Sequence, residues 1–309
     1  MRIIITGGTG LIGEALTRSL LSDGHAVQVL TRNPSRTKAS AEGLQYVQWD
    51  GRTAQGWGDL ASGADAIVNL AGEGIADGRW SKERRNRILQ SRLDAGAAVM
   101  AAISAAPVKP RALVQASAVG YYGPRANEMI NESASPGSDW LSHVVWEWEN
   151  ATASAARLGV RRTVARTGVV FSLKGGAFPK MKLPFDMIFA GGPLGSGDQY
   201  IPWIHIEDEV RALRFLIENA ATEGVYNLSA PTPVTYDQFA ATMGEVMGRT
   251  SFMPAPAFAL KAVLGDMASI LLTGQRVVPA RLLEAGFKFQ YPELAPALRS
   301  VLNKQAAPA

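Results

Sequence analysis

The N-terminal stretch RIIITGGTGLIGEAL constrains this chain more than any other. The apolar, β-branched run from Arg2 to Thr6 reads as a buried strand, and the amphipathic segment from Leu11 onward reads as a helix. Between them stand Gly7, Gly10 and Gly13, in the spacing G-x-x-G-x-x-G. Glycine permits the tight strand-to-helix turn and lets the backbone approach a pyrophosphate, while the following helix offers unpaired N–H groups and its positive dipole end. Glycines could serve the tight turn alone. Here, however, a β-α-β unit closes within about 30 residues, which is the context a dinucleotide fingerprint requires.

The second strand ends in VQVLTRNPSR, where an acidic residue would bind the ribose of NAD. Thr31 and Arg32 stand there instead, with Arg36 close behind. A guanidinium matches phosphate geometry with two parallel bonds, whereas a carboxylate would repel a 2′-phosphate. The reading is NADP, with NAD disfavoured; a solvated loop arginine is the bland alternative.

From Arg2 to about Leu173 short apolar runs alternate with amphipathic stretches, the pattern of an α/β, doubly wound parallel sheet of Rossmann type. The expected division is 1–173 for this dinucleotide-binding domain and 174–309 for a smaller, mixed C-terminal substrate lobe. Part of the lobe, around GVYNLSA, is a candidate to rejoin the sheet. A chain of 309 residues, 47% hydrophobic, can bury such a core. With no cysteine, thiol nucleophiles and disulfides are excluded, in keeping with a cytoplasmic protein. The net charge of +4 is dispersed, apart from SKERRNRILQSR, and predicts no nucleic-acid partner. No apolar run is long enough for a membrane helix, and no metal-ligand spacing is found.

The glycine spacing, NLAGEGI after the fourth strand, SAVGYYG after the fifth and WIHIEDE further on resemble the extended short-chain dehydrogenase/reductase superfamily. NLAGEGIADGRWSKERRNRILQSR, GGPLGSGDQYIPWIHIEDE and LLTGQRVVPARLLEAGFKFQYPELAPAL make the chain similar to its atypical, epimerase-like branch, NAD-dependent epimerase/dehydratase family proteins with a C-terminal region of unknown function. The resemblance implies that Gly7, Thr9, Gly10, Leu11, Ile12 and Gly13 contact the pyrophosphate. It places Arg32 at the adenosine end, where Thr31 and Arg36 also stand by position, and Leu70, Ala71 and Gly72 beside adenine and ribose.

Ordinary members of that superfamily transfer a proton through a Tyr-x-x-x-Lys pair. In DWLSHVVWEWE the two positions hold Leu141 and Val145, neither of which can move a proton. Ser117 resembles the substrate-orienting Ser or Thr, and Tyr121 or Tyr122 could fill the vacancy, packing being the alternative for both tyrosines. Arg92 resembles the residue that replaces the superfamily's Asn, for anion binding or as a plain helix cation. Arg84, Arg85 and Arg87 are expected to face solvent, His205 to be structural, and Asp208 and Glu209 to complement a helix dipole. Lys174, Lys180, Lys182 and Arg166 are placed to meet an anionic small-molecule substrate. The expectation is an NADP(H)-binding oxidoreductase or epimerase-like enzyme acting on an unidentified small molecule; the alternative is a non-catalytic NADP(H) sensor that regulates a protein partner.

Overall fold

A computed structural model describes residues 1–36, 41–76, 78–186, 191–249 and 255–303. The chain opens with β1 (Arg2–Thr6), α1 (Leu11–Ser22) and β2 (Ala26–Thr31), followed by β3 (Leu44–Gln48), β4 (Ala66–Asn69), α2 (Lys82–Ala105) and β5 (Ala112–Ala118). Next come the short β6 (Met129–Ile130), α3 (Trp140–Asn150), β7 (Arg161–Thr167) and β8 (Val169–Phe171). The C-terminal part contributes α4 (Phe178–Asp186), β9 (Tyr200–Ile201), β10 (Trp203–His205), α5 (Ile206–Glu218), β11 (Gly224–Leu228), β12 (Val234–Thr235) and α6 (Tyr236–Met247).

Seven strands form one sheet in the order β11-β7-β5-β4-β1-β2-β3, and every neighbouring pair runs parallel. The winding reverses between β1 and β4, which opens a crevice at the carboxyl ends of those strands. Helices cover both faces, so the middle of β1, Ile3 to Ile5, must be apolar on both. Ile3 and Ile5 pack with Leu16 and Leu20 of α1 and Leu213 and Leu216 of α5, whereas Ile4, on the other face, packs among Ala95, Val99 and Ala102 of α2. Small residues bring α2 close to its neighbours: a Cβ on Gly96 would stand 2.5 Å from the Cβ of Ala151 at the end of α3. The doubly wound parallel sheet expected from the alternating pattern is the fold observed.

The chain beyond residue 174 does two things. It builds a separate aromatic core, with Phe171, Phe178, Phe185, Trp203 and Phe239 packed together, and it returns to the main sheet through α5 and β11, the latter pairing with β7 from Gly224↔Thr163 to Leu228↔Thr167. His205 caps α5, its Nδ1 accepting the Glu207 N–H at 3.1 Å. Asp208 is fully buried and accepts the backbone N–H groups of Gln290 and Tyr291, both at 2.8 Å. The dipole role expected of Asp208 is thus joined by a tether to the C-terminal segment. No helix among the described residues is long and apolar enough to cross a membrane.

Glu209 is 1% exposed, with the Thr167 hydroxyl donating to its Oε1 at 2.8 Å. Burial pushes its carboxyl up from 4.5 to about 8, against the pull of that hydrogen bond. Between those values the native state keeps a proton that the unfolded chain has lost, so stability falls as pH rises from about 4.5 to about 8 and then levels. Glu209→Gln should remove that decline, gaining on the order of a few kcal/mol relative to the parent at pH 8 over pH 5. Urea unfolding across this range measures it; parallel curves for the two proteins would refute it.

Candidate functional site

The glycine loop closes directly onto the switch point. Gly7 adopts φ +67°, and a Cβ there would lie 2.8 Å from the carbonyl carbon and oxygen of Leu70. A Cβ on Gly13 would come within 2.4 Å of the Gly7 carbonyl oxygen. Only glycine fits either position, so the loop hugs both the end of β4 and the first turn of α1. Gly10, the N-cap of α1, supplies no side-chain cap, which leaves the helix's first N–H groups to a ligand or to solvent. Thr9 and Gly10 are exposed, and Leu11 and Ile12 are half-buried beside them. Leu70 and Ala71 are half-buried and Gly72 exposed, so the loop and the end of β4 form one continuous rim.

A buried polar ladder, absent from the sequence reading, fixes these strand ends. The Thr6 hydroxyl donates to Asn69 Oδ1 at 2.6 Å and accepts the Ala71 N–H at 3.2 Å. Asn69 Nδ2 donates to Gln115 Oε1 at 2.9 Å, which also accepts the Thr152 hydroxyl at 3.1 Å. All four side chains are fully buried. Such groups are held only where their bonds are made. The signal in the sequence was a polar residue interrupting each apolar run, Asn69 in AIVN and Gln115 in ALVQASA.

At the end of β2, Thr31 is half-buried and Arg32 exposed. The Arg32 carbonyl accepts from Gln48 Nε2 at 2.9 Å, which pins the backbone. Its guanidinium has no hydrogen-bonding partner among the described residues. Arg36 closes a short 3-10 turn, Pro34–Arg36; its side chain lies outside the described residues.

The carboxyl ends of β5, β7 and β11 hold a charged cluster. Ser117 is 4% exposed and donates to Glu149 Oε1 at 2.5 Å. Arg166 grips the same carboxylate with Nε at 2.7 Å and Nη2 at 2.9 Å. Burial works against the Arg166 charge, but Glu149 overrides it and holds the guanidinium pKa above its ordinary value. Arg166 Nη1 donates at 3.0 Å to the Tyr122 hydroxyl, which itself donates to Asn227 Oδ1 at 2.6 Å. Tyr122 is fully buried, and burial pushes its phenol up, partly offset by Arg166. Its geometry is that of a packed anchor, the alternative weighed for it in the sequence. Tyr121 differs: it is half-buried, and its hydroxyl has no hydrogen-bond partner among the described residues. Leu141 and Val145 of α3 face this region, lying 3.2 Å and 3.7 Å from where a Cβ on Gly120 would stand.

Several cations expected at a substrate are engaged within the protein. Arg92 is 8% exposed, and burial pushes its guanidinium down to about 10 against the opposing charge of Glu73. Its Nη1 donates to the carbonyls of Ile88 and Glu73, and it lies over the Trp148 ring at 4.7 Å. Arg92 therefore props the Gly72–Glu73 backbone rather than standing open to an anion. Arg166 is neutralised by Glu149, Lys180 donates to the Ala76 carbonyl at 2.7 Å, and Lys182 pairs with Asp186. Lys174 stays exposed. Arg84 and Arg87 reach Glu73, and Arg85 packs against Trp80 and Trp140 while pairing with Asp266. All three helix arginines were expected in solvent; Arg87 does stay exposed, whereas Glu73 draws Arg84 and the aromatic pair with Asp266 draws Arg85 into half-buried positions. A cavity of about 770 Å³ opens on the outer flank of α1, where Thr9, Leu11, Arg18, Lys174, Ile206 and Arg211 contribute to its lining. It adjoins the glycine loop but does not include Ser117 or Tyr121.

Removing one partner of the Glu149–Arg166 pair strands a buried charge. Glu149→Leu should cost about 3–5 kcal/mol, and adding Arg166→Met to it should restore a large part of that loss. Urea melts of the single and double variants decide this; simple additivity of the two losses would show the pair to be uncoupled.

With this geometry established, comparison with known proteins gives a consistent result. The human epimerase family protein SDR39U1 is 40% identical over 310 residues, spanning 98% of this chain and all (100%) of its own length. The epimerase family protein YfhF of Bacillus subtilis (strain 168) is 39% identical over 303 residues, 98% of each chain. A crystal structure of human SDR39U1 (isoform2) with NADPH superposes with a TM-score of 0.84 at 36% identity, covering 97% of this chain and 99% of that one. A domain of unknown function (DUF1731) matches residues 255–301. Residues 3–229 match the model of the NAD dependent epimerase/dehydratase family, and the chain belongs to that family.

Proposed function

We propose that this chain is an NADP(H)-dependent oxidoreductase or epimerase-like enzyme acting on a small molecule, working without the Tyr-x-x-x-Lys pair of its superfamily. The observation that carries the reading is the glycine cradle, where a Cβ on Gly7 or Gly13 would clash, at the same end of the sheet as Arg32, whose guanidinium has no hydrogen-bonding partner among the described residues. Support comes from the human relative, solved with NADPH. Gly7, Thr9, Gly10, Leu11, Ile12 and Gly13 would hold the pyrophosphate, Thr31 and Arg32 the adenosine phosphate, and Leu70, Ala71 and Gly72 the adenine side. The bound nicotinamide supplies or accepts hydride. Everything else must come from the protein's own side chains.

For the proton, the Tyr121 hydroxyl, without a hydrogen-bond partner among the described residues, is the candidate this reading favours. Tyr122 and Ser117 spend theirs on Asn227 and Glu149, while Leu141 and Val145 occupy the two positions of the missing pair. A positioned phenol contributes about 10²–10⁴ in rate when it transfers the proton in the transition state.

Arg32→Asp should weaken NADPH binding by about tenfold or more, the worth of a charge-assisted phosphate contact, and leave NADH binding nearly unchanged. Nicotinamide fluorescence titration measures both. Equal losses for the two cofactors would show that Arg32 does not read the 2′-phosphate, and failure of the parent to bind either would sink the reading. With a panel of carbonyl and nucleotide-sugar substrates, Tyr121→Phe should lower turnover by about 10²–10⁴ at unchanged NADPH affinity. A variant as active as the parent would remove Tyr121 from the chemistry, and tight NADPH binding without turnover of any substrate would favour a regulator.

A further inference from the structure

We infer that Arg166 is the positioning residue for Tyr121, a planar cation that holds the ring so that its hydroxyl stays available to a ligand; this rests on the proposed NADP(H) function. The geometry begins with strand register. Arg166 of β7 sits opposite Ser117 of β5 and Asn227 of β11, so the three side chains leave the sheet on one face. Glu149 of α3 meets them there. The guanidinium then makes all its hydrogen bonds at its edge: Nε and Nη2 to Glu149, and Nη1 to the Tyr122 hydroxyl. Its flat faces remain, and the Tyr121 ring covers one, with Cζ 3.3 Å from the ring centroid. Cations over aromatic faces are attracted by the ring quadrupole, and arginine adds planar stacking that an ammonium lacks.

The two adjacent tyrosines then divide the work. Tyr122 stands edge-on to Tyr121, with centroids 5.4 Å apart and planes at 85°, and it is itself fixed by Asn227. The Tyr121 ring is therefore held from its face by Arg166 and from the side by Tyr122. The buried Tyr122 hydroxyl gives its proton to Asn227, whereas Tyr121 is only half-buried. Tyr121 has a ring contacted on its face and side and a hydroxyl with no hydrogen-bond partner among the described residues, an arrangement that suits a ligand-facing group. Arg166 cannot fill that role itself, being 3% exposed and bound to Glu149; it acts through the ring it supports.

The test places 3-fluorotyrosine at position 121 of the full chain and follows its ¹⁹F resonance with and without NADPH, whose binding to the same sample is measured by fluorescence. The parent should show one narrow line that shifts on NADPH addition. Arg166→Lys keeps the charge but loses the flat face and the two-pronged grip; its line should be displaced and broadened before any cofactor is added, at undiminished helical circular dichroism. If that variant fails to fold, Glu149→Gln, which weakens the grip on Arg166, is read in its place with the same expectation. An unchanged line in the variant would overturn the positioning role, and a parent line unmoved by saturating, bound NADPH would overturn the ligand-facing hydroxyl. Absence of NADPH binding by the parent would instead defeat the cofactor reading, leaving the cofactor-free spectra to judge the Arg166–Tyr121 stack alone.

Discussion

Burying a parallel sheet on both faces leaves a chain only the strand ends for chemistry, and that constraint governs this molecule. Ile3, Ile4 and Ile5 are all fully buried, so neither face of β1 can carry a functional side chain. Polar groups collect where the strands stop. Thr6 and Asn69 occupy the last positions of β1 and β4, Gln115 lies midway along β5, and hydrogen bonds link the three in a row that the Ala71 N–H and the Thr152 hydroxyl extend. The row joins the strands at the point where the winding order reverses. There the glycine loop comes within contact of the Leu70 carbonyl, so the cradle and the polar ladder form one rigid edge.

The second row, Ser117, Arg166 and Asn227, costs more to maintain. Arg166 and Glu149 carry charge inside a desolvated region, where the penalty for ions is several kcal/mol each unless the geometry is good. Two parallel bonds between them, further bonds from Ser117 and Tyr122, and the Tyr121 ring over the guanidinium meet that requirement. Hydrophobic residues of similar volume could have filled the space at less risk. Glu209 shows the other solution to burial. Lacking a cation in contact, it holds its proton to about 8 and accepts from the Thr167 hydroxyl. Two buried carboxylates in one protein thus meet burial by different means, Glu149 through the arginine beside it and Glu209 through the Thr167 hydroxyl.

Much of the fold was legible in the sequence because its signals are local. The RIIIT run, the glycine spacing and the β-α alternation each depend on residues within one β-α-β unit, where backbone sterics and burial act directly. The return of β11 to the sheet carried a weaker signal, since GVYNL reads equally well as a strand of the smaller lobe. The site was harder. Arg92 looked like an anion ligand, but Trp148 and the Glu73 carbonyl enclose it. Arg85 looked solvent-exposed, but Trp80, Trp140 and Asp266, from three separate segments, gather around it. Asp208 and Glu209, adjacent in sequence, take unrelated tasks because one turns toward the C-terminal segment and the other toward β7.

By itself the sequence determined the doubly wound sheet and the glycine cradle at its edge, since each follows from residue type and short-range spacing. Only the tertiary structure decided which of two neighbouring tyrosines is buried with its hydroxyl bonded to Asn227 and Arg166. Tyr121 and Tyr122 are chemically identical and consecutive, and nothing local separates them. The difference comes from Asn227 and Arg166, delivered by strands more than forty residues away, at about one hydrogen bond's reach from Tyr122. Strand register sets which side chains share a face, and register is a property of the assembled sheet.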